Sequence, residues 1–68
     1  MTIRLNGAQT DLPGPMSVTA LLGRLGVDPR VVAVEHNLVV LGRASFDRVE
    51  GREGDLVEIV NLVGGGRP

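Results

Sequence analysis

The chain has 68 residues, 43% of them apolar, with one aromatic residue and no cysteine, so it makes one domain at most, with an aliphatic core and no disulfide. Seven basic and eight acidic residues, interspersed, give a net charge of −1, which argues against nucleic-acid binding. No apolar run approaches the roughly 20 residues that a membrane span needs, so we expect a cytosolic protein.

The first residues predict a β-hairpin. Residues 2–6 alternate between polar and apolar side chains, as a half-buried strand does. Asn6 and Gly7 both tolerate the positive φ that a type I′ turn requires. Residues 8–12 are predicted to return as a second strand, which the Pro-Gly-Pro segment at 13–15 ends.

A helix is predicted next. Ser17 is placed to accept a hydrogen bond from a backbone amide of the first helical turn. Apolar residues then recur at i, i+3, i+4 and i+7, and form one stripe: Val18, Leu21, Leu22 and Leu25. Gly26 is predicted to follow the last helical residue, and Asp28-Pro29 confirms the stop.

Three further strands are expected in the second half. The β-branched run at 31–35 predicts a central or nearly central strand, His36-Asn37 predicts a turn, and residues 38–41 predict a short returning strand. The polar segment up to Asp55 is expected to anchor Phe46 and Val49 in the core. Gly54-Asp55 then begins a last strand over residues 56–62.

This order of elements predicts an α+β fold of two layers, with one helix crossing a small mixed sheet. A hairpin, a crossing helix and further strands make the β-grasp order of ubiquitin-like proteins, in which the last strand lies parallel beside the first. We therefore divide the chain into a β-grasp domain, residues 1–63, and a flexible C-terminal glycine tail, residues 64–68.

In these segments the chain resembles the ThiS family of ubiquitin-like sulfur carriers of thiamin biosynthesis. The resemblance rests on Ile3-Arg4-Leu5-Asn6-Gly7, the capped helix, Val32-Ala33-Val34-Glu35-His36-Asn37, Val39-Val40 with Arg43, residues 54–60, and Val63-Gly64-Gly65-Gly66.

The resemblance implies the following chemistry. A ThiF-like adenylyltransferase uses ATP and magnesium to adenylate a terminal glycine, which is Gly66 here. Sulfur from a cysteine desulfurase converts the adenylate to a thiocarboxylate, and thiazole synthase, ThiG, receives the sulfur. The carrier itself has no active site and binds no cofactor.

The tail fits such chemistry on physical grounds. A C-terminus that enters a narrow cleft must lack side chains, and Gly64, Gly65 and Gly66 leave only backbone that can adopt whatever φ and ψ the cleft imposes. Arg67 and Pro68 depart from the family pattern, since the proline ring adds bulk where none is expected. Either a processing protease, such as a JAMM-type zinc metalloprotease, removes the pair, or it is a cloning remnant, or the end is used differently.

The last strand also suggests a partner-binding surface. Alternation places Val60 and Leu62 on one face beside the tail, and both of its faces carry apolar residues. We expect Val60 and Leu62 to contact partners, the alternative being that they pack in the core or under the loop around Phe46. Arg4, Arg43 and Arg48 could contact an acidic surface of a partner, but simple exposure to solvent is the simpler interpretation for all three. Arg43 is retained as a candidate partner contact.

No catalytic or metal site is predicted. His36 is the one histidine, without a neighbour at metal-ligand spacing, and is interpreted as a turn residue. No nucleophile–base pair or phosphate loop appears. The alternatives are a MoaD-like carrier for molybdopterin, a carrier for cysteine synthesis or tRNA thiolation, or a β-grasp interaction module with an inert tail.

Overall fold

The computed structural model of the chain describes residues 1–62. The predicted tail, with Gly64, Gly65 and Gly66, lies outside the described residues, as do Val63, Arg67 and Pro68. Seven strands and one α-helix are present in the described part, in the order β1 (Thr2–Leu5), β2 (Ala8–Asp11), β3 (Met16–Ser17), α1 (Val18–Leu25), β4 (Val32–His36), β5 (Val39–Leu41), β6 (Glu50–Gly51) and β7 (Leu56–Asn61). Single 3-10 turns span Pro29–Val31 and Arg43–Ser45.

Within residues 1–62, five strands form one mixed sheet in the order β2-β1-β7-β4-β5. The last strand, β7, runs parallel to β1 and antiparallel to β4, so it occupies the centre of the sheet. This is the β-grasp arrangement that the sequence predicts. A two-residue ribbon, β3 paired with β6, was not predicted, because two residues are too few to show an alternating pattern.

The turns and caps form where local chemistry places them. Asn6 and Gly7 have φ values of 49° and 81°, which confirms the predicted type I′ hairpin. The Ser17 hydroxyl accepts a hydrogen bond from the amide of Ala20 at 3.0 Å and caps α1. Gly26 ends the helix in the left-handed region with φ 72°.

The core lies between α1 and one face of the sheet. The helix contributes three of the four residues of its predicted stripe, whereas Leu25 in its last turn is 40% exposed. Phe46 is buried and Val49 packs against the core, as predicted for the loop that connects β5 to β7. The buried apolar side chains of the described residues are Ile3, Leu12, Val18, Leu21, Leu22, Val32, Val34, Phe46 and Val57.

The predicted turn at His36-Asn37 is wrong by one position. His36 is the last residue of β4, opposite Val39, and the turn consists of Asn37 and Leu38 with φ values of 49° and 72°. The backbone geometry suits an Asn-Gly pair, but leucine stands at the second position, and that substitution hid the turn in the sequence. No helix among residues 1–62 is long and apolar enough to cross a membrane.

Candidate functional site

The end of β7 sets where the chain leaves the sheet toward its predicted tail. Asn61 lies opposite Val32 at the beginning of β4, and the amide of Leu62 donates a hydrogen bond to the carbonyl of Val31 at 2.7 Å. The Leu62 side chain is 65% exposed. The backbone is therefore held in the sheet up to Leu62, and the predicted modified residue, Gly66, follows four positions later, outside the described residues.

Charged side chains gather at this same end of the sheet. The guanidinium of Arg30 forms two parallel hydrogen bonds to the Asp28 carboxylate, at 3.1 and 2.9 Å. These bonds, with a smaller contribution from the nearby Arg43, lower the pKa of Asp28 to about 2. Arg43 is exposed and follows β5, whose last residue, Leu41, lies opposite Val34, so the chain there runs toward the beginning of β4, where Val32 pairs with Asn61. Contact of Arg43 with a partner stays a prediction.

The outer face of the sheet, opposite α1, carries the other predicted contact residue. Along β7 the side chains of Val57 and Ile59 turn toward the core, whereas Val60 turns outward and is 57% exposed. The alternative that Val60 and Leu62 pack in the core is therefore wrong. Their contact with a partner stays a prediction.

Val60 lines an open cleft of about 350 Å³ on this outer face. The cleft is called the outer cleft below. Apolar side chains from three strands and one turn form most of its wall, and charged residues complete it. Its lining includes Arg4, Glu35, Leu38, Val40, Leu56, Glu58 and Val60. Of the other predicted arginines, Arg4 borders this cleft, whereas Arg48 is exposed in the loop before β6.

Two carboxylates face each other in the outer cleft. Glu35 in β4 is the direct antiparallel partner of Glu58 in β7. Side chains in this relation have Cβ atoms about 4.5–5.5 Å apart, and like charges there destabilise the pair. Among residues 1–62 the ion pairs join Arg30 to Asp28 and His36 to Asp55, so neither glutamate has a cationic partner in the described part of the chain.

The turn that borders the cleft is held by a polar network. His36 Nε2 lies 2.7 Å from Oδ2 of Asp55, with both side chains largely buried, and Asn37 Nδ2 donates to Oδ1 of Asp55 at 3.2 Å. Asn37 also forms two hydrogen bonds with the backbone of Leu56: its backbone N–H donates to the Leu56 carbonyl at 2.8 Å, and its Oδ1 accepts from the Leu56 N–H at 2.9 Å. Leu38, 78% exposed, is thereby presented on a fixed turn.

Asp55 is the centre of that network. Its burial opposes ionisation, but hydrogen bonds from His36, from the amide of Arg52 and from Asn37 outweigh the burial, so the pKa of Asp55 lies below its ordinary value. The sequence placed Asp55 only before the last strand and His36 only in a turn, since the two residues meet only when β4 and β7 pair. In the described range 1–62, no three side chains of metal-ligating type form a group that could hold an ion.

Comparison with known proteins bears directly on this site. The family model described as "ThiS family" matches residues 3–66. The sulfur carrier protein ThiS of Bacillus subtilis is 34% identical over 50 residues, which cover 74% of this chain and 76% of that protein. The crystal structure of the thiamine biosynthesis protein ThiS from Geobacter metallireducens superposes with a TM-score of 0.85 at 38% identity, over 97% of this chain and all of that one.

A second kind of relative is much longer. A thiazole synthase of Paramagnetospirillum magneticum is 46% identical over 66 residues. The match covers 97% of this chain but only 20% of that protein, so the chain spans about a fifth of the length of this relative. The thiazole synthase of Magnetococcus marinus shows the same relation, with 37% identity and 21% of its length covered.

Proposed function

The chain belongs to the ThiS family, and from this membership we propose that it is a sulfur carrier of thiamin biosynthesis that provides sulfur for thiazole formation. The observation that carries the proposal is the extent of the family match, residues 3–66, because it includes both the folded sheet and Gly64, Gly65 and Gly66. The carrier acts in the cytoplasm and contributes its C-terminus as a substrate, so its partners perform the catalysis.

The proposed chemistry begins at the carboxylate of Gly66. In a ThiF-like adenylyltransferase that uses ATP and magnesium, the carboxylate attacks the α-phosphate of ATP and pyrophosphate leaves. The persulfide of a cysteine desulfurase then attacks the acyl carbon, and AMP leaves. A thiol cleaves the sulfur–sulfur bond of the acyl disulfide, forms a disulfide with the desulfurase cysteine, and leaves a thiocarboxylate on Gly66.

This chemistry requires that the bond between Gly66 and Arg67 be cut. A proline end brings a ring and a fixed φ into a cleft that accepts backbone alone, whereas hydrolysis after Gly66 gives a glycine carboxylate. We propose that a processing protease adds water across this peptide bond and releases Arg67-Pro68.

The proposed acceptor of the sulfur is thiazole synthase, ThiG. Two relatives named thiazole synthase each contain a segment similar to nearly this whole chain, which supports a shared task for the two parts. The same observation favours thiazole formation over molybdopterin synthesis, cysteine synthesis or tRNA thiolation as the destination of the sulfur. Val60, Leu62 and Arg43 are the proposed partner contacts near the tail.

The proposal is tested by reconstitution. A chain that ends at Gly66 is incubated with the adenylyltransferase, the desulfurase, cysteine, ATP and magnesium, and its intact mass is measured. We expect one carboxylate oxygen to be replaced by sulfur, and no such change in two controls, the chain that continues through Pro68 and a chain that ends at Gly65. Modification of the chain ending at Pro68 would refute the cleavage step, and an unmodified chain ending at Gly66 would refute the carrier function.

A further inference from the structure

The outer cleft combines exposed apolar side chains with two carboxylates, Glu35 and Glu58, and one guanidinium, Arg4, which forms no ion pair with either carboxylate, so its lining carries a net charge of −1. Leu38, Val40 and Val60 are 78%, 69% and 57% exposed, and they surround the facing pair of Glu35 and Glu58. A patch of this kind on a small domain is typical of a protein–protein contact. Its charge also restricts the occupant, because an acidic partner would add a third negative charge between the first two.

The two glutamates define what a partner must supply. Removing like charges from water is unfavourable, and Arg4 can offset only one of the two negative charges, so a segment that covers this cleft is favoured when it brings a cation to the position between Glu35 and Glu58. A guanidinium fits that position well, since it can donate parallel hydrogen bonds to carboxylates. Around the cation, the segment needs an apolar surface to meet Leu38, Val40 and Val60.

Leu38 is the most exposed of the apolar residues of the outer cleft, and leucine is an unusual residue at its backbone conformation. Its φ of 72° lies in the left-handed region, where a branched side chain is disfavoured and glycine or asparagine is not. The turn would therefore be at least as stable with glycine at this position. A large apolar side chain held in this conformation, on a turn fixed by Asn37, is suited to fill a pocket of a partner.

We propose that the outer cleft receives a segment of thiazole synthase that inserts an arginine or lysine between Glu35 and Glu58 and packs an apolar pocket over Leu38. The choice of thiazole synthase rests on the proposed function; the chemistry of the segment rests on the cleft. The cleft extends along β7 from Val60 to Leu56, and Leu38 lies beside Leu56, at the opposite end of β7 from Leu62. A contact of this length fixes the orientation of the carrier on its acceptor.

The first test removes the two charges and keeps the shape. Binding to purified thiazole synthase from the same organism is measured by calorimetry at low and high salt, for the wild-type chain and for Glu35→Gln/Glu58→Gln. We expect the double variant to bind about tenfold more weakly at low salt and to lose most of the salt dependence of the wild type. Its own unfolding midpoint should stay equal or rise, because the like-charge pair is gone.

The second test addresses Leu38. Leu38→Gly should unfold at the same urea concentration as the wild type or a higher one, while binding thiazole synthase at least about tenfold more weakly, as expected for an anchor residue at an interface. Two matched controls lie away from the cleft: Glu50→Gln removes an exposed carboxylate on β6, and Leu25→Asn removes an exposed leucine at the end of α1. Both controls should bind as the wild type does.

The outcomes separate this inference from the proposed function. Wild-type affinity in both cleft variants would overturn the inference, as would a loss of affinity that merely follows a loss of stability. Sedimentation showing that the wild-type chain forms a dimer which Glu35→Gln/Glu58→Gln dissociates would assign the cleft to a second copy and also overturn it. Absence of wild-type binding would reject thiazole synthase as the occupant, while the thiocarboxylation of Gly66 would remain a separate result.

Discussion

Replacement of Asp55 by asparagine tests how the turn beside the outer cleft is held. The carboxylate accepts hydrogen bonds at both oxygens: Oδ2 faces the ring of His36 and the amide of Arg52, and Oδ1 faces the side-chain amide of Asn37. Asparagine has one oxygen and one NH₂ group. Either orientation of its side chain therefore turns a donor toward another donor, the Arg52 amide or the Asn37 amide.

The cost follows from that geometry. One hydrogen bond to a charged acceptor is lost, for a cost of about 2 kcal/mol in the free energy of unfolding at neutral pH. The donor that loses it, on Arg52 or Asn37, belongs to an exposed residue and can bind water instead, so no further cost is added. In a domain of this size, a loss of about 2 kcal/mol lowers the melting temperature by roughly 8–16 °C. The perturbation is therefore large compared with most surface substitutions.

The stability difference between wild type and Asp55→Asn should depend on pH in a definite direction. The pKa of Asp55 is lower in the folded chain than its ordinary value, so the folded state favours the ionised carboxylate. The stabilisation by that carboxylate is full above the unfolded pKa of about 3.9 and is lost as the pH falls through the folded pKa. The difference between wild type and Asp55→Asn should accordingly be largest near neutral pH and shrink below about pH 4.

Urea unfolding followed by far-ultraviolet circular dichroism measures this difference, since the chain has neither tryptophan nor tyrosine. Glu50→Gln, an exposed acid-to-amide change outside the network, serves as the control and should shift the free energy of unfolding by less than about 0.5 kcal/mol. Equal stability of Asp55→Asn and wild type at neutral pH would refute the reasoning. A difference that persists unchanged in acid would refute its electrostatic part.

Three further changes test other parts of the account. Val60→Asp/Leu62→Asp should leave the circular dichroism spectrum unchanged, because both side chains are mostly exposed. The same double variant should bind the adenylyltransferase about tenfold more weakly or worse in a pull-down. Loss of the folded spectrum would instead show that both residues belong to the core. Arg43→Gln should raise the KM for the carrier in the adenylation assay without a change in melting temperature, and an unchanged KM would leave Arg43 as a solvated charge. Ser17→Ala should lower the free energy of unfolding by about 1 kcal/mol in urea titration, because the amide of Ala20 loses its acceptor; a neutral result would show that water replaces the cap.

The features that could be predicted from the sequence are those set by neighbouring residues. The turn at Asn6-Gly7, the cap at Ser17 and the left-handed Gly26 each depend on the chemistry of one or two positions, and each lies where it was expected. The β-grasp order was accessible because it follows from the sequence of elements and their lengths. The alternation of side chains suggested that Val60 and Leu62 are exposed. Only the structure shows which face of β7 packs against the core and which face is exposed.

The remaining parts of the site depend on pairing between distant strands. Glu35 meets Glu58, and His36 meets Asp55, only because β4 and β7 are neighbours in one register, which no local pattern specifies. A shift of one residue would turn every side chain of β7 to the other face. Leu38 escaped notice for a different reason: its turn has the geometry of an Asn-Gly pair without the glycine that would indicate it.

The intact mass of the native protein isolated from its own cells tests the central claim most directly. We expect a species that ends at Gly66 and has one oxygen of its terminal carboxylate replaced by sulfur. If every molecule instead continues through Arg67 and Pro68 without sulfur, the chain is not a sulfur carrier, and its β-grasp domain serves as an interaction module.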